Sequence, residues 1–143
     1  MLNPREKNIK MKTIFITGAT SGIGKASAET FAKQGHRLII CGRRKEVLEQ
    51  LQIELSNITE VYSLVFDVRN QEEVENAIHS LPEDWKNIDV LVNNAGNAHG
   101  LESISEGNIA DWDAMMDGNV KGLLYVSQPI IKLMKANNSG HIV

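Results

Sequence analysis

"TIFITGATSGIGKASAETFAKQGHRLII", residues 13 to 40, holds two apolar runs separated by a glycine-rich turn and a segment of helical character. TIFIT, 13 to 17, is short, apolar and rich in strand-favouring residues. KASAETFAKQG puts Ala26, Phe31 and Ala32 on one helix face before Gly35 ends it. RLIIC, 37 to 41, reads as a second strand, so the order is strand, loop, helix, strand.

The alternation continues outward from this unit. EVLEQLQIEL (46 to 55) sets Val47, Leu48, Leu51 and Leu55 at helical spacing, VYSLVF (61 to 66) is a third strand, EEVENAIHSL (72 to 81) a third helix and IDVLVN (88 to 93) a fourth strand. From Ile104 to Met134 the pattern is helical again, through Trp112, Met115, Met116, Val120, Leu123, Leu124 and Val126, with Gly122 and Pro129 placed to bend or divide it. After the turn-rich KANNSG, a fifth, buried strand starts at His141-Ile142-Val143. Strands alternating with helices require crossover connections, hence a mostly parallel sheet covered on both faces, and such strands are continuously apolar. The predicted class is doubly wound α/β.

Composition narrows the function. In 143 residues, 42% hydrophobic and 23% charged, there is material for one domain with a substantial core. A net charge of −3 offers no basic field for nucleic acid or an anionic membrane, so any anion must be held by a local site. The single cysteine, Cys41, excludes an internal disulfide and a cysteine-rich zinc cluster; a small buried packing residue in a reduced, cytoplasmic compartment is the expectation. No apolar stretch reaches membrane-spanning length, and MLNPREKNIKMK lacks the apolar core of a signal peptide. Residues 1–11 read as a loose arm and 12–143 as the domain. His36, His79, His99 and His141 lack metal-ligand spacing and read as loop and surface residues, so no metal site is expected. Trp85 and Trp112 read as packing anchors, and Met115, Met116 and Met134 as core positions.

The chemistry is concentrated in TGATSGIG, Thr17 to Gly24, between the first strand and the first helix. Glycines at 18, 22 and 24 let the backbone turn sharply and approach a ligand, while amides at the helix start face a pyrophosphate. The spacing is Gly-x-x-x-Gly-x-Gly. With NNAG (93 to 96) and the αβ alternation in order, the chain from Lys12 to Val143 resembles the short-chain dehydrogenase/reductase family. The resemblance implies that Gly18, Ala19, Thr20, Ser21, Gly22, Ile23 and Gly24 form the phosphate-binding turn. It also implies that Asn94, Ala95 and Gly96 lie along the adenine ribose, and that Asp67 and Val68 contact adenine through the carboxylate and the next amide. An Asp that closes a strand is also a common turn former. Asn119, in MMDGNVKG, matches the family's catalytic asparagine, held in a distorted helix where it helps bind a water; a cap between two helices is the rival reading.

The second strand ends Cys41-Gly42-Arg43-Arg44, without the acidic residue that would take both ribose hydroxyls of NAD. Two guanidiniums there match a 2′-phosphate, so NADP is the implied cofactor, the rival being a solvated arginine pair. Within the family, GRR, FDVRN, SLPEDWKNIDVLVNNAG and IADWDAMMDGNVKGLLYV are most similar to NADP-dependent 3-hydroxy acid dehydrogenases. The implied substrate is a small hydroxy acid or carbonyl compound, and the segment from Asp111 to Lys135 lies where the family forms homo-oligomers.

The family's chemistry uses a serine and a Tyr-x-x-x-Lys pair. Tyr62 is followed four residues on by Phe66 and Tyr125 by Pro129, so neither begins that motif. The resemblance places the missing groups beyond a strand like SGHIV, and therefore implies the cofactor-binding part of a longer oxidoreductase, with sheet strands still to come and no catalysis by these residues alone. A non-catalytic NADP(H)-binding or regulatory module is the alternative.

Overall fold

The computed structural model describes residues 10–143; the arm read at residues 1–11 lies outside them except for Lys10 and Met11, which are exposed coil. Strands β1 (Thr13–Ile16), β2 (Arg37–Gly42), β3 (Val61–Val65), β4 (Val90–Val92) and β5 (His141–Ile142) form one parallel sheet in the order β3-β2-β1-β4-β5. Phe15 is in register with Ile39 on one side and Leu91 on the other. The chain moves outward from β1 to β3 and then returns to β4, so the connections diverge between β1 and β4. In an open parallel sheet that divergence opens a crevice at the carboxyl ends of the strands.

Helices α1 (Gly22–Lys33) and α2 (Lys45–Ser56) cover one face, where Ala28, Ala32, Leu48 and Leu51 pack on Ile14, Ile16, Leu38 and Ile40. Helices α3 (Gln71–His79) and α5 (Gly122–Ala136) cover the other, with Val74, Ile78, Val126 and Ile130 against Phe15, Ile39 and Leu91. Successive residues of β1 therefore enter opposite cores, which is why the strand is apolar without alternation. Helix α4 (Ile109–Met116) runs through a π turn, Asp117–Lys121, into α5.

Several expectations change. The inner face of α1 is Gly24, Ala28 and Ala32, with Ala26 on the solvent side. Val47 is exposed, and α4 buries none of its residues: Met116 is exposed and Met115 half-buried. The helix starts at Ile109, after Asn108 caps it by accepting from the Ala110 amide, so Ile104 lies in an exposed loop. His36 is buried, accepting from the Lys12 amide at Nδ1 and packing beside Phe31. Strand β5 forms its ladder bonds to β4, but His141, Ile142 and Val143 lie exposed at the sheet edge. Pro129 sits inside α5 without ending it. Tyr62 packs on Trp85, with ring centroids 5.5 Å apart.

Cys41 is 1% exposed, and burial pushes its thiol well above the usual cysteine range. A thiol reagent should label it only as the molecule opens, with a rate that rises through the urea transition. Fast labelling in native buffer would contradict this packing.

Candidate nucleotide-binding cleft

The crevice between β1 and β4 begins where β1 ends. Thr17 donates its backbone N–H to Val92 O (3.1 Å), extending the ladder by one residue. Its hydroxyl Oγ1 accepts from the amides of Asn94 (3.0 Å) and Ala95 (2.9 Å), and its proton faces Val92 O at 3.4 Å. One donor and two acceptor positions exhaust a hydroxyl. Asn94 answers by donating Nδ2 to Thr17 O and Gly18 O, both at 3.1 Å. The turn after β1 and the loop after β4 are thus stitched into one unit.

Each glycine of the turn has a separate cause. Gly18 has φ +65°, and a Cβ on it would stand 2.9 Å from Ala95 Cα, so conformation and space both demand glycine. Gly22 has φ +55° but nothing within 4 Å of a Cβ position: it faces open cleft. Gly24 is buried in the helix–turn contact, where a side chain would collide with Gly18 O and Asn94 Nδ2. Ser21 precedes α1 in extended conformation and its side chain makes no capping bond. The first amides of α1, which have no intrahelical acceptor, therefore face the cleft without a side-chain cap, the arrangement that attracts an anion.

The second wall comes from the ends of β2 and β3. Gly42 leaves room for the Thr20 methyl, which would be 2.7 Å from a Cβ. Arg44 donates through Nη2 to Thr20 Oγ1 (2.9 Å) and Thr20 O (3.3 Å), tying the arginine end of β2 to the glycine turn. Arg43, also exposed, has Nη1 3.7 Å from Asp67 Oδ2. Val68 fills the space left by Gly122, where a Cβ would lie 2.8 Å from its Cγ2. The third element is the π turn. Asn119 Oδ1 accepts from the Asn97 amide and its Nδ2 donates to Asn97 O, both at 2.8 Å, a reciprocal pair that pins the NNAG loop to the helix.

These walls enclose a cleft of about 510 Å³. Of the sequence-derived positions, Gly18, Thr20, Ser21, Gly22, Ile23, Arg43, Arg44, Asp67, Val68, Asn94, Ala95 and Gly96 line it. Ala19 does not: its side chain is buried in the core and its amide donates to Cys41 O. Gly24 acts behind the wall through packing, and Asn119, beside the lining residue Gly118, has its carboxamide committed to Asn97. The structure adds Arg69 and Asn97 to the lining, and Thr17 beneath it. Asn97 Nδ2 meets His99 Nε2 at 2.9 Å, while its Oδ1 is buried without a hydrogen-bond partner, an acceptor left open beside Gly118. Thr17 was within the motif, but nothing in its spacing showed which loop it would meet.

The site can therefore hold an extended polyanion, with amides and guanidiniums along one side. Replacing Thr17 by Val keeps the shape, strands the Ala95 amide and leaves the Asn94 amide only Val92 O. A loss of about 1–3 kcal/mol in urea unfolding is expected, with Thr17→Ser close to the parent. An unchanged midpoint for Thr17→Val would contradict the stitch.

The family model for short chain dehydrogenases matches residues 12–143. The NADP-dependent 3-hydroxy acid dehydrogenase YdfG of Escherichia coli is 43% identical over 130 residues, 91% of this chain and 52% of that protein. Sulfoacetaldehyde reductase 2 of Chromohalobacter salexigens is 41% identical over 127 residues, 89% of this chain and 50% of its own length. The chain spans about half the length of these curated relatives. Among solved structures, the closed form of serine dehydrogenase complexed with NADP+ is 42% identical with a TM-score of 0.84, covering 91% of this chain and 52% of the other. The glycine turn, the NNAG loop and the parallel sheet that carries them agree with that likeness along nearly the whole sequence: the chain belongs to the short-chain dehydrogenase family.

Proposed function

We propose that this chain binds NADP(H) in the cleft and serves as the cofactor-binding part of an oxidoreductase acting on a small alcohol or carbonyl compound, a 3-hydroxy acid in the first instance. The observation that carries the reading is the end of β2: Arg43 and Arg44 line the cleft where an NAD site would present a carboxylate. The fit is local as well as compositional. Gly22 opens onto empty space beside the uncapped start of α1, which suits a pyrophosphate, and the arginines stand beside Thr20 and Asp67 on the wall that suits an adenosine 2′-phosphate.

When bound, the nicotinamide supplies or accepts the hydride. The chain's own residues bind and orient. The turn from Gly18 to Gly24 cradles the pyrophosphate, Arg43 and Arg44 take the 2′-phosphate, and Val68 and the Asn94–Gly96 loop flank the adenosine. Arg44 keeps free donors for this after its bond to Thr20, since a guanidinium carries five N–H groups. Asn119 holds the loop through Asn97, so its part is to fix the geometry of the wall. The names of the relatives support the substrate class: 3-hydroxy acids, serine and sulfoacetaldehyde share a short carbon skeleton and an acidic group.

Exposed Leu123, Leu124 and Ile131 on α5 favour a homo-oligomer, and the single buried thiol suits a cytoplasmic setting. No helix among the described residues is long and apolar enough to cross a membrane, and no three His, Cys, Asp or Glu side chains among them converge as a metal site.

Titration of the purified protein with NADPH and NADH tests the reading. NADPH should bind more tightly, and Arg43→Ala with Arg44→Ala should weaken NADPH about 100-fold while changing NADH little. Equal affinities in the unaltered protein would overturn it.

A further inference from the structure

Asp67 is the only carboxylate that lines the cleft among the described residues, and it stands on the wall that the NADP reading assigns to the 2′-phosphate. Left bare, it would repel a phosphate and draw in the nearest guanidinium, that of Arg43 at 3.7 Å. It is not bare. Arg69 donates its backbone N–H to Oδ1 at 3.0 Å, its Nε to Oδ1 and Oδ2 at 3.0 and 3.1 Å, and its Nη2 to Oδ2 at 2.6 Å. The hydrogen bonds from Arg69 hold the Asp67 carboxyl below the usual carboxylate range, so the charge that must be balanced is permanent near neutral pH.

The loop that presents Arg69 is rigid for reasons written in its sequence. An Asp whose side chain bonds the amide two residues on makes a tight turn. Asn70 then caps α3 by accepting from the Glu73 amide (3.2 Å), and Glu73 reaches back to the Asp67 amide (3.0 Å) and to Asn70 Nδ2 (2.9 Å). Arg69 is therefore held over Asp67 before any ligand arrives.

Resting on the NADP reading above, we propose that Arg69 is a positioning residue for cofactor choice: by occupying both oxygens of Asp67 it balances the negative charge on the wall and leaves Arg43, held only loosely at 3.7 Å, able to turn to the 2′-phosphate. A carboxylate offers about four lone-pair positions, and three N–H donors of Arg69 engage both oxygens, Nε being shared between them. One position remains for the adenine amine implied for Asp67 by the family resemblance, and that contact is common to both cofactors, so discrimination falls to the phosphate wall.

The experiment titrates the protein and its variants with NADPH and NADH, and with the fragments 2′,5′-ADP and 5′-AMP, after urea midpoints show that each variant is folded. Arg69→Ala should weaken NADPH and 2′,5′-ADP about tenfold and leave NADH and 5′-AMP within about twofold. Adding Asp67→Asn to Arg69→Ala should restore the NADPH-to-NADH ratio, because the charge to be cancelled is gone. Equal weakening of both cofactors by Arg69→Ala, or a ratio that Asp67→Asn fails to restore, overturns the assignment. A parent protein that prefers NADPH with a ratio indifferent to Arg69 overturns it alone; a parent without preference for NADPH overturns the NADP reading as well.

Discussion

The hydroxyl of Thr17 is the contact on which the cleft depends. Parallel strands β1 and β4 lie side by side in the sheet, but the loops that leave them have no regular ladder to hold them together. Thr17 supplies it, taking two amides of the NNAG loop while Asn94 returns two donors to the glycine turn. Satisfied polar groups at a partly buried seam make the geometry all or none, because a stranded amide costs more than a made bond gains. Gly18 and Gly24 follow from the same seam: the turn can lie against Ala95 and Asn94 only where no side chain intervenes.

A chain of net charge −3 has no general attraction for an anionic cofactor, so the field must be built locally. Two devices supply it. The uncapped start of α1 presents amides and the positive end of a helix dipole, and the ends of β2 and β3 bring Arg43 and Arg69 to a single carboxylate, with Arg44 beside Thr20 on the same cleft. Arg44 and Arg69 are each tethered, to Thr20 and Asp67, while Arg43 keeps the loosest partner at 3.7 Å. That division leaves one guanidinium able to reorient toward a ligand on a wall whose other charges are already placed.

The sheet and its crevice were legible because their signals are local. Continuous apolar strands, a glycine turn at the start of α1 and NNAG after β4 sit where periodicity put them, within a residue or two at the ends. Failures came where a partner distant in sequence decides the outcome. Ala26 and Ala28 are equally small, and only the contact of α1 with the sheet selects Ala28. Helix α4 has core-like spacing but buries none of its residues: Trp112 lies against Gly107, Met115 is half-buried and Met116 is exposed. His36 is buried because the helix before it, through Phe31, and the start of the strand before that, through the Lys12 amide, close over it, and one imidazole carries no mark of this. Arg69 escaped notice for the same reason: as part of FDVRN it looks like a solvated surface charge until the turn folds its guanidinium onto Asp67.

The central claim is that an NADP molecule lies along the carboxyl ends of β1, β2, β3 and β4, with its 2′-phosphate at the arginines. Backbone amide resonances followed during addition of NADP+ test it most directly. The account expects shifts concentrated at Gly18–Gly24, Arg43–Arg44, Val68 and Asn94–Gly96, and silence in the concavity at the opposite end of the sheet, lined by Ser56, Asn57, Thr59 and Trp85. Shifts centred on that opposite concavity, or a cleft that stays silent at saturating NADP+, would contradict it.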